Sequence, residues 1–322
     1  MGANCALPRN SADPMSLAPS LVASSPSPAR PPPLVSVGMP TYNAEQTIAA
    51  SIDCLLQQTV ADFELIVSDN ASTDGTWDIV QDIARRDPRV IAMRQPRNIG
   101  ANGNYSAVFQ RARAGYFKWA SSNDWCASRF LERCLARLEA HPDTVLVAPR
   151  TRLFQGDLAH YTDYERDIAF EQPDPVDRFI AVSSKLALNN VLNGVVRTSA
   201  LARTRLIEHY VGADVVLVGH LALLGKIRLL DEPLFYRRMD RETATQMMSA
   251  EALHRHHYPT NTRRALFPAW RKTGGWLHAA LDSDLPRRDM LRAVKWSLRQ
   301  AYWTAPELGR DVVEAIGRTV RR

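Results

Sequence analysis

Two stretches decide the fold: Leu34-Val35-Ser36-Val37-Gly38-Met39-Pro40-Thr41-Tyr42-Asn43, and Phe63-Glu64-Leu65-Ile66-Val67-Ser68-Asp69-Asn70-Ala71-Ser72-Thr73-Asp74-Gly75-Thr76. Each is a short apolar run that breaks into a polar turn, the pattern of a buried strand followed by a loop. Between them Ile48, Ile52, Leu55 and Leu56 recur at helical spacing. Strand, helix, strand at this distance predicts a parallel crossover, because parallel strands need a long connection between them.

Working outward, the pattern repeats. Strands are expected at 34–38, 63–68, 90–94, 116–120 and 144–148. Helices fall between them, one carrying Trp77, Val80, Ile83 and Ala84, one at about 103–113, and one at 128–141. Gly115 follows the third helix, where positive φ is commonly needed. Beyond Arg150 a polar, aromatic stretch leads to a helix near 176–187, a strand at 194–197, an apolar helix at 214–224 and strands at 226–230 and 234–238. The fold class is therefore α/β, with a mainly parallel Rossmann-like sheet. Residues 1–33, rich in Pro, Ser and Ala, read as a disordered leader. Residues 34–245 read as one α/β domain with two halves, 34–125 and 126–245. Residues 246–322 read as a basic helical extension.

A chain of 322 residues with 45% hydrophobic content can bury a large core. No apolar run reaches the roughly 18 residues that span a bilayer. The leader lacks the apolar core of a secretory signal and, at Ala6, the hydroxyl of a myristoylation signal, and Met15 offers an alternative start. The expected location is cytoplasmic. The net charge of +6 is concentrated in residues 251–322, which hold fourteen Lys/Arg against seven Asp/Glu. Such a tail could meet nucleic acid, anionic headgroups or an acidic partner. Nucleic acid is not expected, and peripheral contact with the inner face of a membrane is. Within the tail Met290, Val294 and Leu298 recur at spacing four, yet Trp296 and Trp303 favour packing against the catalytic domain. Cys5, Cys54, Cys126 and Cys134 form no Cys-x-x-Cys pair, so they read as buried or idle thiols.

In an open α/β sheet the ligand lies beyond the carboxyl ends of the strands. Here those ends are Pro40-Thr41-Tyr42-Asn43 and the run from Ser68 to Thr76, which combines an acidic turn, capping hydroxyls and a glycine. A carboxylate such as Asp69 can accept from a base imide or from ribose hydroxyls, which marks a nucleoside pocket. No G-x-G-x-x-G follows the first strand and no G-x-x-x-x-G-K-[ST] occurs, so neither a dinucleotide site nor a P-loop is present.

The ordered set resembles the family 2 glycosyltransferases. It comprises Val35-Ser36-Val37 with Pro40-Thr41-Tyr42-Asn43, residues 68–76, Arg97-Asn98-Ile99-Gly100 with Asn104, residues 116–125, Gly212-Ala213-Asp214, and Leu234-Phe235-Tyr236-Arg237-Arg238. The resemblance spans about two-thirds of the chain. It implies a glycosyltransferase-A fold, a nucleotide-diphosphate sugar donor and inversion at the anomeric carbon. By it Pro40, Thr41, Tyr42, Asn43, Asp69, Asn98, Gly100, Asn104, Ser122 and Asn123 line the nucleotide and sugar. Asp124 stands in the acidic metal-binding motif, Asp240 in the place of a later metal ligand, and Mn2+ or Mg2+ is the implied cofactor. Arg237 and Arg238 are implied to face the diphosphate, and Asp214 to act as the base. Ser121, Ser122 and Asn123 depart from the acidic pattern, leaving one carboxylate where more are usual.

The expected activity is thus a non-processive, hexosyltransferase-like, inverting transfer. It moves sugar from a UDP- or dTDP-linked donor to a hydroxyl on a glycan or lipid-linked acceptor in cell-surface glycan synthesis, since Gln-x-x-Arg-Trp is absent. The alternative is a nucleotide-sugar-binding protein with impaired catalysis. A nucleotidylyltransferase is less favoured, lacking its glycine-rich basic loop. Simpler readings exist for single features. Asn43 and Asn123-Asp124 could only cap helices, and Asp214 gains from its helix dipole in any case. His220 reads as a core residue, and His254, His256 and His257 as a solvated cluster.

Overall fold

The structure is a computed structural model, and it describes residues 31–240, 256–258 and 267–320. The leader, the segment containing His254 and the boundary expected at 245/246 lie outside the described residues.

Strands β1 (Val35–Thr41), β2 (Phe63–Asp69), β3 (Val90–Arg94) and β4 (Tyr116–Trp119) form the parallel part of the sheet. β1 and β2 are buried along their whole length, which is why they read as continuous apolar runs. The sheet continues through β8 (Val195–Arg197), β6 (Thr144–Phe154) and β9 (Lys226–Arg238), with β5 (Trp125–Cys126) beyond β9 and β7 (Tyr161–Asp163) on β6.

The sheet is mixed rather than mainly parallel. β4 with β8, β8 with β6, β5 with β9 and β6 with β7 all pair antiparallel, whereas β6 and β9 pair in parallel. The reversed strands are all two or three residues long. β8 follows a helix at Pro175–Lys185 and a 3-10 turn, Val191–Asn193, and runs against both β4 and β6. The two strands expected at 226–230 and 234–238 are one, β9, with irregular register opposite Pro149 and Arg150 of β6. β6 likewise runs six residues past its expected end at 148.

Helices α1 (Ile48–Leu56), α2 (Thr76–Arg86) and α4 (Phe130–Ala140) share one core cluster with the strands. The other cluster joins α3 (Ala101–Gln110), α5 (Pro175–Lys185) and α7 (Ala213–Leu224) with the extension. A short α6 (Thr198–Leu201) follows β8. Gly38 lets α3 lie directly on the sheet, since a Cβ there would sit 2.7 Å from Val108 Cγ2 and 2.8 Å from the Phe117 ring.

The extension is helical as expected: α8 (Pro268–Leu281), α9 (Arg287–Trp303) and α10 (Ala305–Val320). Trp276 of α8 packs edge-on to Phe179 at 5.1 Å, against Gly219 of α7, where a side chain would collide with its ring. Trp296 Nε1 donates to Ser183 Oγ at 2.9 Å, and Arg292 pairs with Asp174 and Asp177 of the α5 start. Trp296 therefore packs on the catalytic domain, while Trp303 stays half exposed. Cys54, Cys126 and Cys134 are buried free thiols. His220 is buried, and burial lowers its pKa to about 4. His256 and His257 are partly buried rather than freely solvated, and His257 Nδ1 lies 3.1 Å from Asn102 Oδ1.

Candidate functional site

The carboxyl ends of β1, β2 and β4 open onto one set of loops. At β1 the chain turns at Asn43, which takes positive φ (48°), a conformation asparagine tolerates. Its N–H donates to Ser72 Oγ and its side-chain carbonyl accepts from Thr73 N–H, both at 2.9 Å. Tyr42 leaves its ring exposed, and Thr41 Oγ1 is buried without a partner.

Asp69 ends β2 with no surface exposed. Both of its oxygens accept from Ser72 N–H at 3.2 Å, and Arg94 Nε lies 3.1 Å from Oδ2. Asn70 Nδ2 donates to Asn98 Oδ1, which also accepts from Gly100 N–H, each at 2.9 Å. Gly100 needs its glycine, with φ at 82° and ψ at 158°. Asn104 is buried and donates to the Ser68 carbonyl at 2.8 Å while accepting from Ser68 Oγ at 2.6 Å. Asp69, Asn98 and Asn104 thus shape the loop ends through protein contacts of their own.

The turn after β4 is tied to α1. Thr47 Oγ1 donates to the Ser122 carbonyl at 2.8 Å, and Ser51 Oγ to the Asp124 carbonyl at 2.9 Å. Asp124 Oδ1 accepts from Arg238 N–H at 2.9 Å, and Arg238 Nε donates to the Asn123 carbonyl at 3.2 Å. Burial pushes the Asp124 carboxyl above its ordinary range. The Arg238 N–H, the Arg237 charge, Ser121 and the Lys118 charge oppose that shift without cancelling it. Lys118 itself is fully buried in β4, donating to the Trp119 and Asn193 carbonyls at 3.0 and 2.6 Å.

Successive residues of a strand point to opposite sides, and the two arginines at the end of β9 differ accordingly. Arg238 Nη1 lies 2.7 Å from Asp240 Oδ2, and Gly156 N–H donates to Asp240 Oδ1 at 3.0 Å, so Asp240 is held below its ordinary range, chiefly by Arg238. Arg237 Nη1 instead donates to the neutral Asn190 Oδ1 at 2.7 Å. Asn190 donates in turn to Asp167 at 2.9 Å.

Asp214 lies in the first turn of α7, after Gly212 in the left-handed region (φ 85°). Its Oδ2 accepts from Asn189 Nδ2 at 2.9 Å, and Asn189 Oδ1 is buried with no partner. The Tyr105 phenol sits among these groups. Burial raises it, Ser121 hydrogen-bonds it, and the charges of Asp124, Arg237 and Asp214 all act on it. The charges of Asp124 after β4, Arg237 in β9 and Asp214 in the first turn of α7 thus all act on the Tyr105 phenol of α3. Tyr105, Asn189 and Asn190 were not anticipated as site residues, and Ser121 was singled out only as a departure from the acidic motif. Only the polar pair Asn189-Asn190 before the apolar Val191-Leu192 offered a signal in the sequence.

A divalent cation prefers several oxygen ligands, and it can complete its shell with substrate phosphates and water when the protein offers one or two carboxylates. Among the described residues no three His, Cys, Asp or Glu side chains gather. The raised Asp124 carboxyl fits the part of a single protein ligand, because a bound cation would favour its charged form. Asp240, neutralised by Arg238, fits that part less well.

A parallel run of strands continued by reversed strands into a mixed sheet, with helices on both faces, is a glycosyltransferase-A-like fold. A solved structure of Staphylococcus aureus TarS residues 1–349 with UDP-GlcNAc matches with a TM-score of 0.58, at 17% identity, over 83% of this chain and 72% of that one. The model of the family described as "Glycosyl transferase family 2" matches residues 36–210, more than half of the chain, and the protein belongs to that family. Among curated relatives, the Escherichia coli UDP-Glc:alpha-D-GlcNAc-diphosphoundecaprenol beta-1,3-glucosyltransferase WfaP is 35% identical over 92 residues, 29% of this chain and 36% of WfaP. Chondroitin synthase of Pasteurella multocida is 33% identical over 103 residues, 32% of this chain and 11% of the synthase. The chain spans 31%, 36% and 59% of the lengths of three relatives it matches, so likeness to them is local.

Proposed function

We propose that this glycosyltransferase takes a nucleoside-diphosphate sugar, uridine- or deoxythymidine-linked, and transfers one sugar with inversion to a hydroxyl of a cell-surface glycan or its lipid-linked precursor. The observation that carries the reading is the convergence of the Asp124, Arg237 and Asp214 charges on the Tyr105 phenol. It supplies a carboxylate for a proton and a cation for a leaving diphosphate. Likeness to a UDP-Glc-dependent transferase and to a structure holding UDP-GlcNAc supports the donor class.

On this reading Asp214 accepts the proton of the acceptor hydroxyl as its oxygen bonds to the anomeric carbon. The bond from that carbon to the phosphate oxygen breaks, and the electron pair leaves with the diphosphate. Arg237, whose near partner is a neutral amide, is placed to stabilise that charge, whereas Arg238 is engaged by Asp240 and braces the Asp124 turn. Mn2+ or Mg2+ held by Asp124 would neutralise the departing diphosphate. Asp69, Asn98 and Gly100 shape the nucleoside side of the pocket. Among the described residues no helix is long and apolar enough to cross a membrane, and we place the enzyme at the cytoplasmic face.

A nucleotide-sugar-binding protein without turnover is the second reading, favoured by the non-acidic Ser121-Ser122-Asn123. Calorimetry with UDP, with and without Mn2+, on the native chain and Asp124→Ala tests the site. Metal-dependent binding lost in the variant supports the proposal, and metal-independent binding equal in both chains removes Asp124 from it. Turnover of a UDP- or dTDP-sugar then separates enzyme from binder.

A further inference from the structure

Helix α9 has two chemically different sides. Ala293 and Ser297 are buried, Trp296 reaches Ser183, and Arg292 is held by Asp174, Asp177 and Asp289, so this side anchors the helix on the catalytic domain. The other side presents Arg288, Leu291, Lys295, Leu298, Arg299 and Tyr302, spaced three and four residues apart and all exposed. Leu291 is 53% exposed, Leu298 55% and Tyr302 79%. The only carboxylate in α9 is Asp289, which is paired with Arg292, so no acidic group interrupts the stripe.

We propose that this stripe docks the enzyme on an anionic phospholipid surface. Leu291, Leu298 and the Tyr302 ring supply the apolar body that enters the boundary between headgroups and acyl chains. Lys295, Arg288 and Arg299 lie beside them with long stems, so their charges reach the phosphates while their methylenes stay in apolar surroundings. The Arg299 guanidinium, 4.7 Å from the centre of the Trp303 ring, adds an aromatic and cation pair of the kind that settles at an interface. On α10 Val313 and Ile316 are exposed beside Arg310, but Glu307 and Glu314 are exposed there too, so the cationic stripe is confined to α9. Charge selects this occupant: a uniformly cationic apolar stripe is matched by a negative, deformable surface, and the surplus positive charge of residues 251–322 adds long-range attraction to it. None of these side chains belongs to the pocket around Tyr105, so the inference does not depend on the catalytic reading.

Flotation of the full-length chain with phosphatidylcholine vesicles, with and without phosphatidylglycerol, tests it. The native chain is expected to float with the phosphatidylglycerol vesicles, to be released as salt rises, and to stay behind with phosphatidylcholine alone. Replacing Arg288, Lys295 and Arg299 by Gln should lower the partition on the order of a hundredfold. Leu298→Ser with Tyr302→Ser should lower it about tenfold or more. Arg288→Lys with Arg299→Lys keeps the charge and should still float, which separates lost charge from lost folding. An absence of flotation, a partition the Gln and Ser variants share with the native chain, or a dimer in light scattering that those variants dissolve would overturn the proposal. Transfer to a water-soluble acceptor should be unchanged by the Gln variant, so failure of docking and failure of the transferase reading are told apart.

Discussion

The two acidic turns of the sheet are built to opposite specifications. At the end of β2, Asp69 is fully buried and meets Ser72 N–H with both oxygens and Arg94 with one, so its turn is complete before any ligand arrives. At the end of β4, burial raises Asp124, and Asn189 Oδ1, whose amide nitrogen donates to Asp214, is buried without a partner among the described residues. Buried polar groups are normally paired, and an unpaired set costs stability unless something else requires it. The first turn is scaffolding that fixes the loop geometry. The second leaves an electrostatic need unmet, which is where the proposed donor site is set.

The largest expected effect falls on the second turn's side of the pocket. Asp214→Asn should lower transfer by about 10²–10⁴-fold, the usual worth of a positioned base, while UDP binding by calorimetry stays as in the native chain. Near-native turnover would remove Asp214 as the base. Arg237→Ala should raise the donor KM and lower kcat together, since the charge it meets grows as the diphosphate leaves. A loss confined to stability would mean that its bond to Asn190 is its whole role.

A change at the completed turn should read differently. Asp69→Ala leaves the buried Ser72 N–H and the Arg94 guanidinium without their acceptor, and should destabilise the fold by about 1–3 kcal/mol in denaturant unfolding. Donor affinity should then fall only as far as the loop loosens. A variant as stable as the native chain, with donor binding abolished, would place Asp69 in direct ligand contact and dissolve the contrast between the two turns.

Most of the completed half was legible in the sequence, because its signals are local. Val35, Val37, Leu65 and Val67 sit in unbroken apolar runs, and the turns after them follow in the same stretch of chain. The reversed strands β5, β7 and β8 were harder to read, since two or three residues carry no usable period and their direction is set by which neighbours they meet. The same limit hid Tyr105 and Asn189. Tyr105 follows Asn104 on α3 and looks like one more core aromatic, yet its phenol reaches the charges of residues 124, 214 and 237 only once the sheet closes. Asp124 could be singled out by its place after the fourth strand, but its raised carboxyl comes from burial that no window of sequence records.

The smallest effects test whether the unmet need is real. Because burial raises the folded Asp124 carboxyl above its unfolded value, the folded state holds that proton more tightly, and stability is lost as pH rises from the ordinary carboxylate range through the raised one. Asp124→Asn removes the ionisation. Its thermal midpoint should therefore exceed that of the native chain at neutral pH, and the gap should close in acid, while Mn2+-dependent UDP binding is lost in the variant. A gap that does not change with pH would assign the difference to packing. Asn189→Ala is subtler still: it removes the donor to Asp214 Oδ2 together with the unpartnered carbonyl, so kcat should fall about tenfold with the donor KM unchanged. If kcat stays at the native value, the bond from Asn189 does not position the base, and if the donor KM rises instead, the buried carbonyl serves the donor.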